Sequence, residues 1–149
     1  MAIAVTPTHP QPIRWTDGSL RILDQRRLPL EEVDLECHDA EAVAEAIRTL
    51  AVRGAPLIGI AAAYGVALAG RWGAEGARRA VRLLGKTRPT AVNLAWALDR
   101  MEKLIESRLP DVNSLQTVLL EEARKIHAED ARACEAIGLH GSALISDGA

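Results

Sequence analysis

Apolar residues recur along this chain with two different periods, and the switch between them divides it. Ile13 and Trp15, then Leu20 and Ile22, alternate with polar neighbours on either side of Asp17-Gly18. A period of two is that of a half-buried strand, and Asp-Gly suits a two-residue turn that needs positive φ at both positions, so a hairpin is predicted. A third strand is expected at Val33, Leu35 and Cys37, giving an antiparallel sheet too small to be stable alone. From Asp39 the period lengthens. Asp39 is placed to cap a helix in which Val43, Ala46, Ile47 and Leu50 share one face. Further helices are expected from Pro56 to about Trp72, from Ala74 to Leu84, and from Pro89 with Leu94, Leu98, Met101 and Ile105 on one side. A last one runs from near Ser114 to near Gly138, where Gly141 suits a left-handed ending. The predicted class is α+β and mostly helical: a small antiparallel sheet at the N-terminus followed by a bundle of four to five helices. Residues 1–12 are expected to be a flexible tail, 13–37 the sheet, 39–138 the helices, and 139–149 a connector to a further domain.

Composition sharpens this picture. The run Leu57–Gly70 carries no charge but has only 14 residues, whereas a membrane span needs about 20, so a buried helix is expected and no membrane association. With 26 Ala and no Phe, the core must be built from small and aliphatic residues that favour helix. A net charge of −2 and the lack of a basic stripe interleaved with aromatics argue against a nucleic-acid surface. Cys37 and Cys134 lie far apart, without metal-ligand spacing, and no signal peptide precedes them. Reduced thiols in the cytoplasm are therefore expected.

The sharpest chemical feature is Val52-Arg53-Gly54-Ala55-Pro56, just before the apolar helix. Pro favours the first helical position, Gly54 permits close backbone approach, and the free N–H groups of a helix start attract anions. Arg53 adds a planar fork suited to phosphate or carboxylate. The same spacing also fits a plain loop-to-helix junction with a solvated Arg. Lys86-Thr87-Arg88-Pro89-Thr90 repeats the pattern, with Thr87 placed to cap the helix that Pro89 would open. The two starts could converge on one anion or face apart. Cys37 and His38 are adjacent and point to opposite faces of a strand. His127 and His140 flank Cys134 without ligand spacing and read as solvated or capping residues. Glu121 and Lys125 sit at a favourable i, i+4 spacing on a charged helix face, and Glu129-Asp130 reads as surface. Gly59, Gly65 and Gly70, within the apolar run, read as sites of close helix packing.

Four stretches together resemble one family: Trp15-x-Asp-Gly, Leu23-Asp-Gln-Arg-Arg-Leu-Pro29, Leu50-Ala-Val-Arg53-Gly-Ala-Pro-Leu-Ile-Gly-Ile-Ala-Ala-Ala-Tyr64-Gly, and Thr87-Arg-Pro-Thr-Ala-Val-Asn-Leu94. They are similar to the signature of the methylthioribose-1-phosphate isomerases, relatives of the translation initiation factor 2B regulatory subunits. The resemblance runs from about Ile13 to Ala149, with Leu50 and Leu57 standing where the family often has Met and Ala. It implies an aldose–ketose isomerase of methionine salvage that converts 5-methylthioribose 1-phosphate to 5-methylthioribulose 1-phosphate without metal or organic cofactor, usually as a cytoplasmic homodimer. It also implies that Arg53, Gly54, Ala55 and Arg88 contact substrate. The family's catalytic Cys and Asp belong to a C-terminal Rossmann-like α/β domain, and neither Cys37 nor Cys134 matches that Cys. The chain is therefore expected to be the N-terminal domain alone, to contain no catalytic residue, and to be inactive by itself. Competing expectations are a non-catalytic regulatory or interaction protein of the initiation-factor type, and an isomerase acting on another ribose phosphate.

Overall fold

A computed structural model describes residues 11–107 and 112–145. The hairpin forms where alternation placed it. β1 (Ile13–Thr16) and β2 (Ser19–Leu23) are joined by Asp17 and Gly18 at φ 51° and 79°, the paired positive angles of a turn whose twist matches that of its strands. β3 (Asp34–Cys37) pairs antiparallel with the other edge of β2, giving the order β1-β2-β3. The register sets Ile13 against Ile22, Trp15 against Leu20, Leu20 against Cys37 and Ile22 against Leu35. These six side chains share one face, which lies on the helical core. Of the tail expected over 1–12, only Gln11 and Pro12 lie among the described residues, and the Pro12 carbonyl accepts from Leu23 N at 2.9 Å.

α1 (Ala40–Arg48) starts as expected, with the Asp39 carboxylate accepting from Ala42 N at 2.8 Å. α2 (Ala55–Ala69) is buried at every position from Ile58 to Ala69 and tightens into a 3₁₀ turn at Gly70–Trp72. Gly73, at φ 74°, turns the chain into α3 (Gly73–Gly85). α4 (Val92–Ser107) and α5 (Val112–Ser142) complete the bundle. A helix without a polar side must be covered on all sides, and α2 is packed by α1, α3, α4 and α5. The apolar stretch Ala55–Gly85 is long enough by composition to cross a membrane, but 78% of its most apolar window is buried within the domain.

Small residues set the distances between these helices. A Cβ built on Gly59 would lie 2.6 Å from the Asn93 carbonyl oxygen, and one on Gly65 3.0 Å from Leu84. One on Gly70 would lie 3.0 Å from the Gln116 Cα. Backbones therefore approach α2 more closely than any side chain would permit, as the spacing of these glycines suggested.

Three expectations about helix ends are corrected. α4 begins at Val92 and not at Pro89, because Arg88–Ala91 closes as a turn through Ala91 N to Arg88 O at 3.0 Å. Thr87 does not cap α4; its hydroxyl donates to the Leu84 carbonyl and finishes α3. α5 does not stop near Gly138 but continues through Gly141 to Ser142, neither glycine adopting positive φ. A glycine ends a helix only when it turns left-handed, and otherwise it merely weakens it, by about 1 kcal/mol relative to Ala.

The α2–α5 contact contains a titrating pair. Tyr64 on α2 stacks on Trp15 of β1 with ring centroids 5.9 Å apart, and its hydroxyl meets His127 Nδ1 of α5 at 3.2 Å. His127 is half-buried, which corrects its reading as a solvated or capping residue. Burial holds its pKa below the ordinary 6.5, opposed by the nearby Asp130 carboxylate.

Two predictions follow from these contacts. Because the folded His127 resists protonation, the unfolded chain takes up the proton first as pH falls through about 6.5, so stability drops from there and levels off below the folded pKa. Urea midpoints measured between pH 7.5 and 5.5 should decline, and His127→Gln, whose carboxamide can donate to or accept from Tyr64 but does not titrate, should flatten that decline. Gly59→Ala should destabilise the chain by about 1–3 kcal/mol through overpacking against Asn93. By contrast, Gly138→Ala, where an added Cβ meets nothing within 4 Å, should stabilise it by up to about 1 kcal/mol. Paired denaturation curves read the two opposite signs directly.

Candidate functional site

The α2–α4 contact at Gly59 and Asn93 brings the starts of both helices together. Between them lies a cavity of about 400 Å³, walled by Gly54, Ala55 and Ile58 on one side and by Arg88, Thr90 and Asn93 on the other. The start of α2 and the turn that precedes α4 thus share one space, where the sequence suggested two helix starts. Three of the four expected contact residues, Gly54, Ala55 and Arg88, line it. Arg53 is exposed and adjoins it without lining it.

Local chemistry explains why this end of α2 is open to a ligand. Gly54 occupies the cap position at φ 103°, no side chain caps the helix, and Pro56 supplies the first turn. The amides there are left to an external acceptor, at the positive end of the dipole. Ala91, immediately before α4, has no side-chain acceptor either. The guanidinium groups of Arg53 and Arg88 make no hydrogen bond or ion pair with any described residue. A site with unfilled N–H donors and unpaired cations is complementary to a phosphate.

A second recess of about 430 Å³ abuts the first, sharing Val92 and Asn93 and reaching Trp96 and Ala133. It holds the carboxylates of Glu129 and Asp130 and no cationic side chain, so it is unsuited to an anion. Glu129 is already engaged: Arg100 bridges it at 2.6 Å and Glu122 at 2.5 Å, tying α4 to α5. Those acidic partners hold the Arg100 guanidinium protonated, and the hydrogen-bonded guanidinium in turn lowers the pKa of Glu129. Glu129 is therefore not a free surface carboxylate. Likewise Lys125 pairs with Glu122 at 3.5 Å, not with Glu121 as its i, i+4 spacing suggested. The Glu122 side chain is turned inward by Arg100, and the lysine follows it.

The remaining candidates lie apart from the cavity. Cys37 is buried beneath the sheet, its thiol pushed up to about 11 by burial and by the charge of Asp39, so it is no thiolate at neutral pH. Cys134 and His140 are exposed on α5. No group of three His, Cys, Asp or Glu side chains among the described residues is placed to hold a metal. Thr90 and Asn93 were missed as lining residues. Both stand in the Arg88-to-Leu94 block, whose signal was spent on placing a helix start at Pro89.

Comparison with known proteins identifies the family. The model of the initiation factor 2 subunit family matches residues 51–149. The methylthioribose-1-phosphate isomerase of Geobacter sp. (strain M21) is 44% identical across 92% of this chain and 42% of its own length. That of Thermotoga neapolitana is 47% identical across 91% of this chain and 41% of its own. Among solved structures, 5-methylthioribose 1-phosphate isomerase from Pyrococcus horikoshii OT3 superposes with a TM-score of 0.89 at 35% identity, covering 99% of this chain and 45% of that one. The delta subunit of translation initiation factor eIF-2B from A. fulgidus gives 0.83 at 37% identity, over 92% and 42%. The chain thus spans less than half the length of these relatives, while they match more than nine-tenths of its own length. It belongs to the initiation factor 2 subunit family.

Proposed function

We propose that the cavity at the start of α2 anchors the phosphate and neighbouring hydroxyls of 5-methylthioribose 1-phosphate, and that this chain is the substrate-holding part of an aldose–ketose isomerase of methionine salvage. The observation that carries this reading is the meeting of Gly54, Ala55 and Arg88 on one cavity. The names of the relatives support the choice of substrate. In this reading the working enzyme is a cytoplasmic homodimer that uses no metal or organic cofactor.

The division of labour follows from which groups are present. Converting an aldose phosphate to its ketose moves a hydrogen between C2 and C1 after the ring has opened, so a proton or hydride must be handled. Among the described residues no carboxylate, imidazole or thiol lines the cavity, and arginine does not give up its proton at physiological pH. What the cavity offers is retention: donors and positive charge that hold the phosphate while the sugar opens and reacts, the positioning share of catalysis.

The A. fulgidus eIF-2B subunit, similar to this chain over 92% of its residues, supports a second reading as a non-catalytic regulatory or interaction protein. Titrating ¹⁵N-labelled chain with 5-methylthioribose 1-phosphate separates the two. Saturable shifts at Gly54 and Ala55, weakened roughly tenfold or more by Arg88→Ala, as loss of a charge-assisted hydrogen bond demands, support the anchoring role. Absence of any such shift rejects it. In either case the purified chain should not turn over this substrate above a buffer control.

A further inference from the structure

The stretch Leu23-Asp-Gln-Arg-Arg-Leu-Pro29, which carries part of the family resemblance, leaves the end of β2 and forms no part of the cavity wall. In the structure it lies behind the anion site. Asp24 is 3% exposed, and its carboxylate accepts from Arg26 three times: from the amide at 3.1 Å, Nε at 2.7 Å and Nη2 at 2.6 Å. With Arg27 N bonded to Asp24 O at 3.1 Å, residues 24–27 form a stiff turn. Gln25 stands within it and reaches across to the segment leading into α2. Its amide donates to Ala51 O at 2.9 Å, and its carboxamide Nε2 donates to Arg53 O at 3.4 Å.

That segment needs holding. Leu50 adopts φ 62° and Gly54 φ 103°, and a bulky residue in the left-handed region persists only when its surroundings over-determine it. Between them, Ala51 and Val52 are fully buried, and Val52 N bonds to Ala46 O at 3.3 Å. Gln25 supplies two further ties, one on each side of Val52. The second falls on the peptide whose N–H belongs to Gly54, the cap residue of α2. A peptide unit is planar, so fixing the Arg53 carbonyl fixes the direction of the Gly54 N–H as well.

We propose that Gln25 is a positioning residue for the anion site. By clamping the Ala51 and Arg53 carbonyls, it sets the orientation of the Arg53-Gly54-Ala55 backbone against the cavity shared with Arg88. The inference rests on the anchoring role proposed above and adds to it a residue that does not touch the ligand.

Gln25→Met tests it, because methionine keeps the length and bulk of the side chain and the backbone tie to Ala51 but removes the side-chain donor to the Arg53 carbonyl. Gln25→Ala serves as a second variant should Gln25→Met fold poorly. If Gln25 acts as a donor, Gln25→Met should keep the wild-type urea midpoint within experimental scatter. Backbone ¹⁵N order parameters at Arg53 and Gly54 in the free chain should fall, and affinity for 5-methylthioribose 1-phosphate should fall roughly fivefold or more, the loss expected for one hydrogen bond. A side chain that only fills space would leave order parameters and affinity alike unmoved in Gln25→Met, and that result overturns the proposal. If the wild-type chain does not bind the sugar phosphate at all, the anchoring role fails. The clamp is then decided by backbone order alone: lowered order parameters at Arg53 and Gly54 support it, and unchanged ones overturn it.

Discussion

The constraint on which everything else depends is that α2 has no polar side. From Ile58 to Ala69 every residue is buried, so this helix has to be central and the others must surround it. Central placement in turn demands small residues where neighbours cross, which is why glycines stand opposite Asn93, Leu84 and Gln116. It also concentrates the helix's polarity at its ends. The C-terminal end is absorbed by the tightening into the 3₁₀ turn. The N-terminal end, at Gly54, Ala55 and Pro56, emerges at the surface with its amides uncapped. Among the described residues, the cavity at the start of α2 thus lies where the core helix meets water.

The glycine that lets α4 approach α2 also locates the second half of that site. With Asn93 packed on Gly59, the turn preceding α4 has to lie beside the start of α2, and that turn carries Arg88 and Thr90. Packing of the apolar core and assembly of the polar cavity are therefore one event. A change that pushes α4 outward at Gly59 alters both, whereas a change at Gly138, where nothing is packed, alters neither.

Periodicity made most of the fold legible. Strand alternation with Asp17-Gly18 located the hairpin, Asp39 with its apolar face located α1, and the uncharged run located α2, because each signal acts over neighbouring residues. The errors came where a distant partner decides. Pro89 suits a helix start, but Arg88–Ala91 closes as a turn first. Gly138 and Gly141 suit a helix stop, yet nothing forces either into the left-handed state. His127 looked solvated because Tyr64 stands 63 positions away, and Lys125 follows Glu122 because Arg100 on another helix draws that carboxylate inward. The site divides the same way. Gly54 and Ala55 were legible from the local logic of a helix start, while the convergence of Arg88 on them, and the places of Thr90, Asn93 and Gln25, depend on how α2, α4 and the turn after β2 are packed.

The same reasoning accounts for a scaffold shared by relatives named as isomerases and one named as a translation factor subunit. Function lives in sites set on folds, and among the described residues the cavity at the start of α2 is lined by donors and by no acid–base group. Holding a phosphate and transforming a sugar are separable tasks, since the first needs only fixed N–H groups and positive charge, and the second needs a group that exchanges a proton or accepts a hydride. A bundle organised around an all-apolar helix offers, at its exposed end, the uncapped amides and neighbouring arginine that the first task would call on. Its burial bears on the second: the thiol beneath the sheet, Cys37, is held protonated by the apolar packing that stabilises the domain. Under the proposed reading, the packing that fixes the anchoring end therefore also keeps this thiol out of acid–base chemistry.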